Sequence, residues 1–336
     1  MALCRALPSH AGTVRKMTTG SAIDGRTRHY GTFYGLPVSE RSDGSDAPAN
    51  DTDLPLLLIW GNCQAEALRV VLAGSPSLQF RTVRMPPVFE LTSADVEHLR
   101  ALADRSTVLL TQPVKDDYRE LPLGSAQVAA MLPAGATVIH WPVIRTSAYH
   151  PFQAIIRDPD GTLGDPPIVP YHDLRTLASA KHNTDRWDTP VSVAVCREIA
   201  SESIAELGRR EREQCDVAIS DLFNQPAAGD MFTINHPGNR ILVELARRIQ
   251  QLLGRPADAA DRGRPLLGEV RAPMPQQAMA ALGLSGVESP SWQVRGEEIT
   301  AEEIHLTQWQ WYRDHPRMIA AGYRRHQAEL DLLGLG

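Results

Sequence analysis

The spacing of apolar residues changes along the chain, and from Leu54 it alternates between the spacing typical of strands and that typical of helices. Residues 54–60 form a continuous apolar run, as expected for a strand covered on both faces. Residues 64–73 are good helix formers, and Gly74 is a stop signal. The same alternation predicts strands at residues 79–84, 107–111 and 136–141 and helices at residues 93–103 and 125–132. We therefore expect an α/β fold with a parallel-sheet core and flanking helices, in which ligands bind beyond the carboxyl ends of the strands.

The second half of the chain has proline-rich loops after Pro142 and is then mostly helical. Residues 191–222 and 238–253 have helical spacing, and a Pro- and Gly-rich stretch precedes a final helical pair. We predict a flexible N-terminal tail at 1–50, an α/β catalytic domain at 51–255 with a helical insertion at about 171–225, and a linker with C-terminal helices at 256–336. Within the tail, the apolar patch at residues 29–35 is expected to dock on the body or on a neighbouring subunit, and Met17 is an alternative start.

Composition and charge narrow the classes of partner. The formal net charge of -6 and the pI near 6.0 argue against a nucleic-acid-binding surface, which needs clustered basic residues. The four cysteines lack the spacing of a zinc site or a disulfide framework, so we expect no metal. No apolar run approaches the ~20 residues of a membrane helix, and the N-terminus does not resemble a signal peptide. A cytoplasmic protein without membrane contacts is expected.

The segment Gly61-Asn62-Cys63-Gln64 lies where the first predicted strand meets a helix N-terminus. There the Cys63 sulfur would face unpaired backbone N–H groups and the positive end of the helix dipole, which favour a nucleophilic thiolate. Gly61 would allow a sharp turn, and Asn62 and Gln64 would donate hydrogen bonds to an oxyanion. The alternative is a small buried cysteine, but a polar Asn-Cys-Gln cluster directly after an apolar strand is unusual in a core.

A second candidate catalytic residue is His236, which lies within the segment from Met231 to Asn239. We expect it just before a helix whose first turn contains Pro237, so that it is held rigidly enough to act as a general base. The alternative is that Asn235 or His236 merely caps this helix. Capping and catalysis do not exclude one another, and Asn235 is also a candidate substrate-binding residue.

Polar and aromatic residues follow the later strands and are expected at the same edge of the sheet. Gln112 is a candidate for binding substrate or an oxyanion, and Lys115 and Arg119 are candidate phosphate anchors, although such charges are more often solvent-facing. The remaining candidates, whose histidines are more often structural than catalytic, are Tyr118, Tyr149, His150 and His172.

Together these motifs resemble the WcbI family of polysaccharide-biosynthesis enzymes, which are proposed acetyltransferases that bind coenzyme A. The resemblance rests on Gly61-Asn62-Cys63-Gln64, Gln112-Pro113, Asp117-Tyr118-Arg119, Trp141-Pro142, Tyr149-His150-Pro151, Tyr171-His172-Asp173 and residues 232–237, and it spans residues 54–253. It implies an acyl thioester of coenzyme A as donor and a sugar hydroxyl as acceptor. The chain also has a more distant likeness in fold to the SGNH hydrolases, but it has Cys63 where those enzymes have a serine.

The sequence thus predicts an acyltransferase in which Cys63 attacks a thioester of coenzyme A or of an acyl carrier protein, and His236 activates a hydroxyl or amine acceptor, either a sugar or a small metabolite. Coenzyme A would be a co-substrate. A thioesterase of the same fold and a non-catalytic module that binds a thioester or a polysaccharide remain as alternatives. Assembly into a homo-oligomer is left open.

Overall fold

A computed structural model describes residues 23–40, 53–184 and 186–336. Most of the predicted tail at 1–50, including both possible start positions, lies outside these residues. Its described part begins with α1 (Gly25–His29). Tyr30 and Phe33 follow α1 and are buried in a cluster with residues of the central sheet, so the apolar patch packs on the body of the protein.

The central sheet is parallel, and its strands lie in the order β2-β1-β3-β4. Strands and connecting helices follow one another as β1 (Leu56–Trp60), α2 (Cys63–Ala73), β2 (Arg81–Thr82), α3 (Val96–Ala103), β3 (Ser106–Thr111), α4 (Ser125–Ala129) and β4 (Thr137–His140). The predicted parallel α/β core is confirmed, although β2 has only two residues and the predicted helix at 93–103 begins with a 3-10 turn, Ser93–Asp95. The chain moves outward from β1 to β2 and then returns to β3 on the other side. This order creates a topological switch point between β1 and β3, where open α/β sheets bind ligands.

Alternate residues of β1 enter two apolar layers, because successive side chains of a strand point to opposite faces. Leu57 and Ile59 join the layer that contains α2 and a later helix, α7 (Asn239–Leu252). Leu58 and Trp60 join the layer that contains α3 and α4. Burial on both faces explains why β1 is a continuous apolar run in the sequence.

The rest of the chain adds helices and small antiparallel pairs. These elements are β5 (Gln153–Ala154), β6 (His172–Asp173), α5 (Leu174–His182), α6 (Val193–Gln214), β7 (Met231–Thr233), β8 (His236–Pro237), α7 (Asn239–Leu252), β9 (Val270–Arg271), α8 (Gln276–Ala281), β10 (Ser291–Val294), β11 (Glu297–Thr300), α9 (Ala301–Asp314) and α10 (Pro316–Leu332). Further 3-10 turns lie at Val38–Glu40, Val88–Glu90, Tyr118–Glu120 and Ser220–Asn224. Strands β9, β10 and β11 form a three-stranded sheet that the sequence did not predict.

The C-terminal helices predicted after residue 255 pack on the body of the protein. Tyr312 of α9 and Met318 of α10 are buried in one apolar cluster with Phe152 and with Leu177 of α5. Among the described residues, no helix has the length and apolarity needed to cross a membrane.

We predicted Pro237 in the first turn of a helix, but it lies in β8, which pairs with β7. Helix α7 begins two residues later, at Asn239, with Gly238 as its N-cap. A Cβ atom on Gly238 would lie 1.9 Å from the carbonyl oxygen of Gly229, so only glycine fits this close approach. His236 is therefore held by a β-hairpin rather than by a helix start, and neither it nor Asn235 caps α7.

Candidate active site

Cys63 is the first residue of α2, directly beyond the carboxyl end of β1. The helix starts here because the Asn62 side chain, as N-cap, accepts a hydrogen bond of 2.9 Å from the backbone N–H of Gln64. The N–H groups of Cys63 and Gln64 lie within hydrogen-bonding reach of the Cys63 sulfur. The sulfur thus lies at the switch point of the sheet and at the positive end of an 11-residue helix.

The structure brings Cys63 and His236 together, with 3.6 Å between Sγ and Nε2. The edge of the Tyr171 ring meets the His236 ring at a centroid distance of 6.0 Å and an interplanar angle of 90°. Within the described chain, Nδ1 of His236 makes no well-formed hydrogen bond, so no carboxylate completes a triad. The arrangement is a thiol–imidazole dyad whose histidine is oriented by packing.

The protonation states differ from those expected from the helix position alone. Burial raises the pKa of the Cys63 thiol to about 11, outweighing the nearby N–H groups, and the charge of Glu90 adds to the rise. Burial also lowers the pKa of His236 to about 4, and the backbone of Leu267 opposes this only in part. The raised pKa of the thiol does not favour the resting thiolate expected from the helix position. Between these two pKa values the thiol and the imidazole are both neutral, and proton transfer has to accompany the attack on substrate.

Gln64 and Gln112 are buried, and their amide groups are already engaged. Gln64 Nε2 donates to the carbonyl oxygens of Ile144 and Asn235, both at 2.7 Å. Its Oε1 accepts from Ile144 N and from Gln112 Nε2, both at 3.0 Å, while Gln112 Oε1 accepts from Asn62 N at 2.9 Å. Gln112 Nε2 also donates to the carbonyl oxygen of Pro142 at 3.4 Å, so neither amide has a donor left for the oxyanion role predicted for it. They join the loops after β1, β3 and β4 to the segment that carries His236.

Gly61 has a different role from the predicted sharp turn. A Cβ atom at this position would lie 2.4 Å from Gln112 Oε1, so the absence of a side chain is what lets Gln112 reach Asn62. In Asn62, Oδ1 caps the helix, and Nδ2 has no partner within the described residues. Among the described residues, Asn62 Nδ2 and the backbone N–H of Cys63 are donors of this segment that remain unengaged.

Asn235 lies beside the dyad, where its Oδ1 accepts a hydrogen bond of 2.8 Å from Tyr171 OH. Tyr171 OH in turn accepts from Thr233 Oγ1 at 2.9 Å. The sequence placed the motif Tyr171-His172-Asp173 among the candidates for lining the cleft, but we selected His172 from it as the binding residue, whereas Tyr171 is the one beside His236. Adjacent residues of extended chain point to opposite sides, which is the signal that could have separated them.

Three of the predicted cofactor-binding residues are buried structural residues. Tyr149 OH donates to Asp230 Oδ2 at 2.9 Å, and Asp230 is ion-paired with Arg240. The imidazole of His172 lies between Tyr312 OH and, at 3.1 Å, the carbonyl oxygen of Ile156. Tyr149 and His172 are therefore closed to a ligand.

His150 is also buried, and its Nε2 lies 3.3 Å from the carbonyl oxygen of Met231. Its Nδ1 makes no well-formed hydrogen bond in the described chain, although the backbone of Pro273 lies close enough to raise the pKa of the imidazole against the effect of burial.

The residues predicted to bind phosphates lie at the surface. Lys115 and Arg119 are exposed, and Tyr118 is half-buried against the layer that contains α3. The Arg119 guanidinium donates to the carbonyl oxygen of Phe89 at 2.5 Å and lies 6.0 Å from the centre of the Tyr118 ring. This group follows β3, on the same edge of the sheet as the dyad.

Several surface cavities are present, and they differ in whether residues next to Cys63 line them. A groove of about 10 Å³ lies beside Gly61 and Asn62. A cavity of about 430 Å³ is lined by Arg145 and Arg210, and another of about 320 Å³ by Trp187 and Trp292. Among the described residues, no group of three or more His, Cys, Asp or Glu side chains is placed to hold a metal ion.

Comparison with known proteins places these features in a family. Residues 56–258, more than half of the chain, match the family model described as polysaccharide biosynthesis enzyme WcbI. A solved structure of WcbI, described as a novel polysaccharide biosynthesis enzyme in a native form without a disulfide bond between coenzyme A and a cysteine, has the same fold, with a TM-score of 0.72. It is 21% identical and covers 84% of this chain and 99% of its own. Among curated proteins, none matches the chain. The family match extends over the central sheet, Cys63 and His236, and the chain belongs to the WcbI family of polysaccharide biosynthesis enzymes.

Proposed function

We propose that this protein transfers an acyl group from a thioester of coenzyme A, or of an acyl carrier protein, to a hydroxyl or amine acceptor through Cys63. The observation that carries the proposal is the 3.6 Å approach of Cys63 Sγ to His236 Nε2 at the switch point of the sheet. Membership of a polysaccharide biosynthesis family supports a sugar as the acceptor. The naming of coenzyme A with the solved WcbI structure supports the donor.

In the first step the Cys63 sulfur attacks the thioester carbonyl while its proton passes to His236 Nε2. A neutral dyad fits this concerted transfer, because the imidazole can accept the proton only as the sulfur loses it to the new bond. The tetrahedral intermediate then collapses, the bond to the coenzyme A sulfur breaks, and His236 returns the proton to that leaving sulfur. The products are free coenzyme A and acyl-Cys63. Exchange between two thioesters is nearly isoenergetic, so orientation is the main requirement.

In the second step the acceptor enters, and His236 takes the proton from its hydroxyl or amine as the acceptor attacks acyl-Cys63. The carbon–sulfur bond breaks, and the same proton neutralises the departing thiolate of Cys63. In both steps negative charge develops on the carbonyl oxygen. The backbone N–H of Cys63, the positive end of α2 and Asn62 Nδ2 would stabilise this charge.

For the donor, we propose that Lys115 and Arg119 attract the phosphates of coenzyme A to this edge of the sheet. Both are exposed, so their effect should weaken as salt is added. Tyr118 lies beside Arg119 and offers an aromatic surface at the same place.

The proposal is tested by replacing Cys63→Ala and following transfer from acetyl-CoA together with coenzyme A binding. Loss of the nucleophile should lower the transfer rate by roughly three orders of magnitude or more, whereas calorimetric affinity for coenzyme A should be retained. Cys196→Ala is the matched control, because Cys196 is buried in the cluster with α5, α9 and α10 and does not touch the site.

Each other outcome points to a different function. Full turnover by Cys63→Ala would show that His236 promotes direct attack by the acceptor. Hydrolysis of acetyl-CoA by the wild-type chain at the same rate with and without acceptors would indicate a thioesterase. Loss of coenzyme A binding by a folded Cys63→Ala protein, without any turnover by the wild type, would indicate a binding module.

A further inference from the structure

A cavity of about 430 Å³ lies between the loop after β4 and the helices α6 and α10, and the chemistry described above does not use it. The loop and α6 supply most of its polar lining, namely Arg145, Ser147, Glu202, Ser203, Glu206 and Arg210. Its volume is within the usual range for a small-molecule site, ~300–1,000 Å³. Neither Cys63 nor His236 lines the cavity, so a ligand here would lie outside the dyad.

The Arg145 side chain is partly buried, and its charge has no partner. Its guanidinium makes no hydrogen bond or ion pair with the described residues. Burial lowers the pKa of Arg145 to about 10, and the charges of Arg325 and Arg210 add to the fall, which the charge of Glu329 opposes only in part. A charge held partly out of water without a partner is costly, and an anionic ligand would supply the partner.

Three other partly buried arginines, Arg69, Arg175 and Arg248, show how such a charge is normally held. Each has a carboxylate partner, at 2.7, 2.8 and 2.6 Å respectively. Arg145 lies in a cavity instead, where the corresponding position is open to a ligand.

The carboxylates that line the cavity do not supply the missing partner. Glu206 is ion-paired with Arg209 at 2.7 Å, and Glu329 lies 3.5 Å from Nδ1 of His326. Glu202 is exposed and makes no ion pair within the described residues. None of these three carboxylates forms an ion pair with the guanidinium of the loop.

The donors and acceptors of the lining indicate the class of ligand. The planar guanidinium of Arg145 binds a carboxylate through two parallel hydrogen bonds. Ser203 Oγ accepts from Ser147 N at 2.8 Å, and its own O–H makes no hydrogen bond with the described residues. The carboxylate of Glu202 accepts hydrogen bonds from hydroxyl groups. Because three carboxylates line the cavity, a ligand with one negative charge is favoured over a dianion such as phosphate.

We propose that this cavity binds a small carboxylate that carries hydroxyl groups. The ligand carboxylate would pair with Arg145, and its hydroxyls would bond to Ser203 and Glu202. The apolar side chains of Ile199 and Leu332, which also line the cavity, would contact its carbon skeleton. This binding does not depend on the proposed acyl transfer.

The test is a calorimetric titration of the full chain with D-gluconate, D-glucuronate and D-galacturonate, beside D-glucose and inorganic phosphate. The wild type should show saturable binding at millimolar concentration for at least one of the three carboxylates, weaker binding of phosphate and none of D-glucose. Arg145→Gln should weaken the binding at least about tenfold, because two charge-assisted hydrogen bonds are lost. Arg145→Lys keeps the charge but not the planar fork and should give an intermediate affinity. Glu329→Gln removes a repelling charge and should tighten binding.

Arg248→Gln is the matched control, because Arg248 is also partly buried but is paired with Asp221 and Glu244 and does not line the cavity. It should bind the carboxylate like the wild type and have a lower Tm. Arg145→Gln should keep the Tm of the free wild type, because no partner is lost. The carboxylate should raise the Tm of the wild type but not that of Arg145→Gln.

The proposal would be overturned if none of the three carboxylates binds saturably, or if Arg145→Gln binds as tightly as the wild type. A loss of Tm by Arg145→Gln as large as that of Arg248→Gln would show that the guanidinium has a structural partner and would also overturn it. Displacement of the carboxylate by coenzyme A, with coenzyme A affinity lost in Arg145→Gln, would assign the cavity to the phosphates of coenzyme A instead. Binding is measured here without transfer, so these outcomes are distinguishable from failure of the proposed function.

Discussion

The buried amide of Gln64 should control both stability and the position of His236. Its side chain makes four hydrogen bonds of 2.7–3.0 Å, two with the backbone of Ile144, one with the Asn235 carbonyl and one with Gln112. Gln64→Leu keeps the size of the side chain but removes all four. At ~1 kcal/mol net for each bond, and with buried partners left unsatisfied, the free energy of unfolding should fall by about 3–5 kcal/mol.

The same change should reduce catalysis, because the Asn235 carbonyl precedes His236 and would no longer be tied to the residue after Cys63. A shift of about 1 Å in a reacting group typically costs ~100-fold in rate, so kcat should fall by that order. Urea unfolding gives the loss of stability, and steady-state transfer from acetyl-CoA gives the loss of rate.

Gln250→Leu provides the matched control. Gln250 is fully buried in α7, donates to Ser75 Oγ and Asp258 Oδ1 at 2.6 and 2.8 Å, and accepts from Ala259 N at 2.9 Å. Its replacement should destabilise the fold by a similar amount and change kcat only a few-fold. If the two variants lose the same stability and the same activity, Gln64 acts through the fold alone and our account of its positioning role is wrong.

Three further predictions follow from buried groups. Alkylation of Cys63 by iodoacetamide, measured by peptide mapping, should keep accelerating from neutral pH toward about pH 11, because burial raises the pKa of the thiol to about 11; a plateau near neutrality would contradict this. Burial lowers the pKa values of His150, His172 and His236 from 6.5 to about 4, so the unfolded chain binds up to three more protons between these values. Stability should therefore fall as the pH decreases through that window, by at most about 4 kcal/mol per pH unit in urea titrations, and a pH-independent midpoint would refute the assignment. Tyr149→Phe should cost about 1–2 kcal/mol of unfolding free energy, because Asp230 loses a buried donor, and should leave KM for acetyl-CoA unchanged; a selective rise in that KM would restore Tyr149 to the donor site.

The fold and the place of the site were accessible from sequence because they depend on local patterns. The apolar run at β1, the polar cluster after it and the helix formers of α2 determine one strand–turn–helix unit, and parallel pairing brings the next such unit alongside. Local sequence patterns alone therefore place Cys63 and Gln112 at the same edge of the sheet.

What sequence reasoning missed depends on packing at a distance. The raised pKa of Cys63 follows from burial, which outweighs the helix terminus and is not visible in the motif. Gln64 looked like a free donor, but its partners Ile144 and Asn235 come from segments 80 and 171 residues away. Tyr171 contacts His236 only because the hairpin of β7 and β8 folds beside it.

The central claim is that the acyl group passes through Cys63, and rapid-quench mass spectrometry of the wild-type protein with acetyl-CoA tests it most directly. We predict that the peptide containing Cys63 gains the mass of one acetyl group before product forms. We also predict that adding an acceptor discharges this adduct at the rate of turnover. Sustained transfer with Cys63 unmodified at every time point would contradict the account and would leave His236 as the base for direct attack.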